Sequence, residues 1–478
     1  MAIQRAFGDP QRTPDDFSKF TKDELAGEPY SHTPADSALG PVPTARSTDP
    51  MDLANVLGNT AVTKIQNTDK KIMLHVIGDS GGVTSPQFQF AVADALATDQ
   101  LNGVAFLYHL GDVVYFFGED SYYFEQFYDP YREYNAPIFA IPGNHDGAQY
   151  ANETSGPLQG FQENFCSPAP ADTPDNQGCV RTTMDQPGIY FTLNAPFIKF
   201  IGLYSNVGEG GTSGVIASTK RPDVGTKQLD FLKAALTQAK AERAAGNYRV
   251  LALATHHPPF TGSPYHLPSP DMLKMIDQVC EQVGIYPDIH LSGHSHLYER
   301  FTRTVKGRQI PYIVSGNAGY PGLPGLKKGG KPAPVPKAPQ SGTDASGNPL
   351  KLETFNNKTF GFLRVTVSAT ELDVVAMGVD PDTHNTTPMD GFSLDLKSGV
   401  VTDTKNIPVN VSFDQATSIA AKKKKKQKKT LSRKAGTKAA ATDAGNDGGS
   451  RAPATKHAKK AAQKISGAKS AAKKKPRK

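Results

Sequence analysis

Short apolar runs recur along the middle of the chain, and each closes on a polar cluster. Lys71–Ile77 is β-rich and ends at Gly78-Asp79. Val104–Leu110 ends at Gly111-Asp112, and Pro137–Ile141 ends at Gly143-Asn144-His145. Further along, Val250–Ala254 ends at His256 and Asp288–Leu291 ends at Gly293-His294. Runs of this length bounded by Gly and Asp predict buried strands. Between them the spacing becomes helical: Phe88, Val92 and Leu96 within 85–98, Leu229, Leu232, Leu236 and Ala239 within 226–245, and a further helix near 270–283. The Tyr/Phe-rich stretch 121–134 also reads as a helix, and Ile189–Leu193 with Phe197–Leu203 as paired strands. Strands alternating with helices predict βαβ units, whose ligands gather beyond the strands' carboxyl ends. Later runs (Phe301–Val305, Ile310–Val314, Gly361–Val367, Glu371–Met377, Gly391–Leu396) alternate with period two and predict a second sheet packed on the first. The expected fold class is α/β (α+β), a two-sheet β-sandwich core flanked by helices.

The ends read differently. Pro10, Pro14, Pro29, Pro34, Pro41, Pro43 and Pro50 interrupt the first segment, so residues 1–70 are expected to be mostly extended and irregular. Residues 71–400 form the expected main folded domain, 401–421 a linker and 422–478 a Lys/Ala-rich tail. The tail carries 21 Lys+Arg against two acids, a net of +19, which leaves 32 basic and 44 acidic residues, a net of −12, for the rest. The formal charge of +7 therefore hides an acidic body and a basic tail. With almost no large apolar side chains, the tail is expected to be disordered, as are the irregular N-terminal residues. Its charge suits nucleic acid, polyphosphate or an anionic membrane face, bound by counterion release; the bland reading is a solubilising tail. It has no aromatic residue, so base stacking is not open to it.

No apolar run is long enough for a transmembrane segment, and no secretory signal is visible in residues 1–30. The default compartment is cytoplasmic. Three cysteines exclude a disulfide-built scaffold; Cys166 and Cys179 are close enough in sequence to pair in an oxidising compartment, and Cys280 reads as core.

The strand-end residues share one chemistry. Asp79, Asp112 with Tyr115, Asn144 with His145, His256, and His294 with His296 are all oxygen or imidazole donors. Such a set suits Fe, Mn or Zn, and a carboxylate can bridge two ions. A lone Asp after Gly is more often a turn residue. Five clusters in order, each behind an apolar run, are far more specific.

The motifs GDSG at 78–81, GDVVY at 111–115, GNHD at 143–146, HHP at 256–258 and GHSH at 293–296 resemble those of the calcineurin-like metallophosphoesterases. Residues 293–300, GHSHLYER, resemble the purple acid phosphatase branch. The general family carries Asp-x-His in its first motif. Here Gly81 stands in the histidine's place and Tyr115 is the branch's replacement.

The resemblance implies a binuclear metal-dependent, acid phosphatase-like hydrolase, in which metal-bound hydroxide attacks a phosphomonoester. It implies two metal ions. The first, ferric iron, would be held by Asp79, Tyr115 and His296; the second, Fe, Zn or Mn, by Asn144, His256 and His294; Asp112 would bridge them. At HHP the His-x-Pro pattern selects His256 as ligand, with His257 the alternative and otherwise a substrate-facing residue. His145 would contact the phosphate, and His266, ten residues beyond His256, would protonate the leaving group. Glu299 and Arg300 are read either as a supporting ion pair or as surface residues. His75, His109 and His290 lie inside apolar runs and read as core residues. A phosphodiesterase or nucleotide pyrophosphohydrolase on the same site, or a polyanion binder with a vestigial site, are the alternatives. The chain departs from the larger plant-type enzymes in having no room for a fibronectin-like domain before residue 71. The family is usually secreted, which points to an extracytoplasmic compartment against the default.

Overall fold

The computed structural model describes residues 38–404, apart from 40, 83–85, 116, 150–155, 157, 208–213, 220, 222, 264–265, 322, 324–326, 329–330 and 333–334. The basic tail, most of the expected linker and residues 1–37 lie outside the described residues.

Two mixed sheets face each other. The first has seven strands. Its parallel part is β1 (Lys71–Ile77), β2 (Phe106–His109) and β3 (Ile138–Ala140), with helix α1 (Gln87–Asp99) between β1 and β2. The second has nine strands. Its centre is β4 (Phe191–Ala195) antiparallel to β5 (Ile198–Leu203), then β6 (Val250–Thr255) and β7 (Ile289–Ser292) parallel to β5. Helix α2 (Lys227–Ala244) joins β5 to β6, and α3 (Pro270–Val283) joins β6 to β7. The chain then turns antiparallel through β8 (Tyr298–Val305), β9 (Arg308–Ser315) and β10 (Pro349–Asn356). It returns to the first sheet through β11 (Phe360–Ser368), β12 (Glu371–Val379), β13 (Thr386–Asp395) and β14 (Val400–Asp403), where β11 pairs antiparallel with β1. The strand orders are β14-β13-β12-β11-β1-β2-β3 and, between the short edge strands Gln340–Thr343 and Met51–Asp52, β10-β8-β9-β7-β6-β5-β4.

Strand alternation explains the layers. Leu74 and Val76 of β1, Phe106 and Tyr108 of β2 and Phe139 of β3 meet Phe191, Phe200, Ala252 and Leu291 between the sheets. Side chains of opposite parity, such as Ile77, Leu107, Ile201 and Leu253, face outward to the helices, where Val92, Leu96, Leu232, Leu236 and Ile276 cover them. Both faces of the parallel strands are therefore buried, which is why these runs are apolar throughout. The expected two-sheet, helix-flanked architecture is the one observed.

Some local expectations fail for identifiable reasons. Residues 121–134 are not one helix but a short 3₁₀ turn (Asp120–Tyr122), a wide turn (Phe124–Tyr128) and further turns. Pro130 has no N–H to continue a helix, and Tyr123, Phe127, Tyr128, Tyr131 and Tyr134 are all buried, leaving no polar face. Residues 53–69 are helical rather than extended, because the prolines stop at Pro50 and Leu53, Val56, Leu57, Val62 and Ile65 pack on the intersheet core. Gln340–Thr343 and β10 add strands in a Gly/Pro-rich stretch whose apolar signal is weak, and only Leu352 of β10 is buried. The cysteines form no bridge. All three are free, with the Cys166 backbone engaged by Asp185 and the Cys179 N–H by Asn176. Nor do Glu299 and Arg300 pair: as neighbours on β8 they point to opposite faces. Arg300 reaches Asp390 at 2.6 Å and Asp403 at 2.9 Å, while Glu299 accepts the Gly262 N–H.

Candidate metal centre

The parallel strands β1, β2, β3, β6 and β7 each deliver one polar cluster at the carboxyl end. The loop backbones are laced together there: the Asp79 N–H donates to Gly111 O at 3.0 Å, and the Tyr320 N–H donates to Asp79 O at 3.0 Å. Asp79, Asp112 and His294 take left-handed backbone angles (φ 57°, 54° and 67°) without being glycine. Such conformations cost of order 1–3 kcal/mol each and persist where surrounding structure holds them. Here the His294 N–H donates to Asp79 Oδ2 at 2.8 Å, and the His145 N–H to Asp112 Oδ1 at 2.9 Å.

Two groups of donors result. In one, Tyr115 Oη lies 3.3 Å from both Asp79 Oδ1 and His296 Nε2, and His296 Nε2 lies 3.5 Å from Asp79 Oδ1. Ligands bonded at about 2.1 Å to one ion sit roughly 3 to 3.5 Å apart, so this triangle fits an ion. In the other, Asn144 Oδ1 is 2.8 Å from His294 Nδ1 and 3.0 Å from His256 Nε2, which in turn faces Asp112 Oδ2 at 3.2 Å. His256 Nδ1 donates to Leu110 O at 2.9 Å, which leaves the Nε2 lone pair facing two oxygen acceptors. Oxygen and imidazole donors converging at these distances suit a cation. Asp112, His256 and His294, all buried, satisfy the spacing of a metal cluster on their own. The donor sets fit metal ions at both groups.

The electrostatics agree. Burial pushes the Asp79 carboxyl well above the usual range, with His256 opposing and Asp112 reinforcing. Burial opposes ionisation of Asp112 too, but His256 and His145 hold its carboxyl well below the usual range. Burial pulls His256 down, yet Asp112 and Asp79 outweigh it and lift the imidazole to about 9. His294, His296 and His257 are driven well below the usual value, first by burial and then by neighbouring histidines.

Every sequence-predicted site residue lies here. The His145 ring packs against Tyr115 with centroids 4.4 Å apart. His257 sits 4.3 Å from the His294 ring, with Nδ1 2.8 Å from Ser205 Oγ. His266 lies over His294 and His296, at 4.6 and 4.9 Å. His75, His109 and His290 are buried off the site, bonded to Asp99, Ser80 and Thr255 respectively.

Gly81 explains Tyr115. A Cβ at position 81 would lie 2.6 Å from Tyr115 Cδ2 and closer still to Gln126 Oε1. The tyrosine ring occupies the space that a side chain at 81 would need. Tyr115 is clamped by Gln126, whose Oε1 accepts the Tyr115 N–H at 2.9 Å and whose Nε2 donates to Tyr115 O at 2.8 Å. Tyr320 stacks on its other face at 4.2 Å. Asp146 accepts the N–H groups of Gly143, Val113 and Val114, fastening the loop after β2 to that after β3. Burial and the Asp112 charge raise its carboxyl to about 6. Sequence reasoning missed Gln126 and Tyr320 and gave Asp146 no role; of the three, only Asp146, inside GNHD, had a motif to flag it.

Residues 73–298 match the family model described as calcineurin-like phosphoesterase. No curated protein matches the chain. Among solved structures, the chain is similar to a purple acid phosphatase from yellow lupin (Lupinus luteus) seeds, at 14% identity and a TM-score of 0.47, covering 71% of this chain and 57% of that one. The chain thus spans little more than half the length of the lupin protein. It is similar to the Plasmodium inner-membrane-complex anchor GAP50 at 14% identity (TM-score 0.40, 66% and 88% covered). A dimetal phosphatase from Danio rerio is 11% identical (TM-score 0.35, 64% and 96% covered). Residues 73–298, with their strand-end donors in family order, are a calcineurin-like phosphoesterase domain.

Proposed function

We propose that the chain is a binuclear phosphomonoesterase of the purple acid phosphatase kind. The observation that carries this reading is the fit between Gly81 and Tyr115, where a phenol fills the place of a first-motif side chain and completes a donor triangle with Asp79 and His296. In this reading Asp79, Tyr115 and His296 hold one ion, Asn144, His256 and His294 the other, and Asp112 serves both. A phenolate favours ferric iron in the first position, and iron, zinc or manganese suits the second. Bound there, the ions would ease deprotonation of a water and offset phosphoryl charge.

The remaining work falls to side chains. Asp112 and the Leu110 carbonyl orient His145 and His256. His145, half-buried beside Tyr115, offers its ring to a phosphoryl oxygen, where a fixed donor stabilises the spread of charge in the transition state. His266, at the mouth over His294 and His296, delivers a proton to the departing alkoxide. His257 is held by Ser205 and stays neutral, walling the second donor group. We take residues 71–400 as the catalytic domain, with the +19 tail as a separate polyanion-binding segment.

The test is phosphate release from an aryl phosphate monoester and from the matching diester, after loading with Fe, Zn or Mn. Faster monoester turnover and a visible absorption band in the iron-loaded protein are expected. A diester preference would move the reading to a phosphodiesterase or nucleotide pyrophosphohydrolase. Metal binding without any hydrolysis would remove it.

A further inference from the structure

Glu299 is a buried carboxyl that the mechanism leaves without a task. It is fully buried on β8, three residues after His296, and burial lifts it to about 7. Its Oε1 accepts the Gly262 N–H at 2.7 Å. From that point a chain of hydrogen bonds runs along the loop after β6. Thr261 Oγ1 accepts the Ser263 N–H at 3.0 Å and meets Ser295 Oγ at 3.2 Å, and Ser263 Oγ accepts the His266 N–H at 3.3 Å. Among the described residues the loop pairs with no strand, so these bonds help to set where the His266 ring stands over His294 and His296. Pro336 lies close by on the same side, since a Cβ at Gly262 would meet both Pro336 Cγ at 2.7 Å and Glu299 Oε1 at 3.0 Å.

From this chain of contacts we infer that Glu299 is a positioning residue: by holding the Thr261–Ser263 turn it sets His266 at the height from which a leaving group is protonated. The inference rests on the phosphomonoesterase reading. It needs Oε1 only as an acceptor, a part that a glutamine amide oxygen fills equally well. Removing the acceptor strands the Gly262 N–H and frees the turn, and a proton donor displaced by about 1 Å loses most of its effect.

Leaving-group dependence separates positioning from general damage. General-acid help matters for an alkyl phosphate, whose alkoxide leaves poorly, and little for 4-nitrophenyl phosphate. Glu299→Ala should lower kcat on an alkyl phosphate by at least tenfold, out of the roughly 10²–10⁴ that such catalysis supplies. It should lower kcat on the nitrophenyl ester by less than about threefold, the part of that contribution a good leaving group still draws on. Glu299→Gln should restore both. Because the Ala variant risks misfolding, Thr261→Val, which removes the acceptor for Ser263 while keeping shape, should give the same selective loss. In a His266→Ala background, Glu299→Ala should add nothing on the alkyl ester. An equal fall on both esters, a Gln variant as poor as Ala, or additive losses with His266→Ala would overturn the inference. A wild type inactive on both esters would instead remove the phosphomonoesterase reading beneath it.

Discussion

Adding one methyl group at Gly81 tests the heart of the site. No left-handed angle is recorded at this glycine, so alanine fits the backbone and the effect is steric. The new Cβ would sit 2.6 Å from Tyr115 Cδ2, whereas ordinary contact begins at 3.4 Å. Neither neighbour can yield freely. The Tyr115 ring is fully buried between Tyr320 and His145, and the Gln126 amide holds both the N–H and the carbonyl of Tyr115. Overpacking of this kind costs about 1–3 kcal/mol. Breaking one Gln126 bond adds about 1 kcal/mol. Gly81→Ala should therefore lose about 2–4 kcal/mol in urea unfolding of the metal-free protein. It should also weaken or shift the absorption band of the iron-loaded protein, since the phenol has moved. Tyr115→Phe is the control: it should abolish the band with a smaller stability change. If Gly81→Ala unfolds within about 0.5 kcal/mol of wild type, the usual range for a site without such contacts, and keeps its band, the pocket has slack and the Gly81–Tyr115 argument is wrong.

Three further outcomes are expected. Asp112→Asn should lower metal stoichiometry, read by elemental analysis, and reduce turnover by more than the roughly 10–100-fold that outer metal partners are worth. Arg303 is buried and bonds Asp277 at 2.6 Å and Asp344 at 2.6 Å, so Arg303→Met, which removes the charge partner of both carboxylates, should cost about 3–5 kcal/mol in urea unfolding. The third concerns pH. Burial and Arg303 lower His290 to about 3, while the unfolded chain binds that proton below about 6.5. Its contribution is complete above about pH 6.5 and is lost toward pH 3, at about 1.4 kcal/mol per pH unit. His290→Gln should flatten the pH dependence of unfolding between pH 6 and 4 by one proton, and an unchanged slope would show that His290 does not remain neutral in the folded state.

Much of the fold was legible because it is repetitive in its physics. The five strands that carry the donors are buried on both faces, so they are short, apolar and bounded by turn residues, and all five were visible. The failures share one property, that tertiary contacts rather than local pattern decide them. The helices at 53–69 exist because Leu53 and its neighbours cap the open end of the intersheet core. β10, inside the short edge strand Gln340–Thr343, has only one buried residue. The aromatic stretch 121–134 carries the apolar weight of a helix without a polar face, and Pro130 breaks it.

The site divides along the same line. Donors that must reach an ion are restricted to a few residue types at strand ends, so sequence order alone brings Asp79, Asp112, Asn144, His256 and His294 to notice. The residues that orient them face no such restriction. Gln126 holds the Tyr115 backbone, and its role depends on which amide it happens to meet across the loop. Glu299 sits beside an arginine, and adjacency in sequence suggested an ion pair. The pleat of β8 sends the two side chains apart, giving Arg300 to Asp390 on the facing sheet and Glu299 to the loop that bears His266. A charged pair on consecutive strand residues is therefore better read as two separate tasks on two faces. That rule makes Arg300 a tie between the sheets and Glu299 a support for the cleft. Arg300→Met should then lower stability, with leaving-group selectivity unchanged; a change in that selectivity would mean that the two faces are coupled through β8.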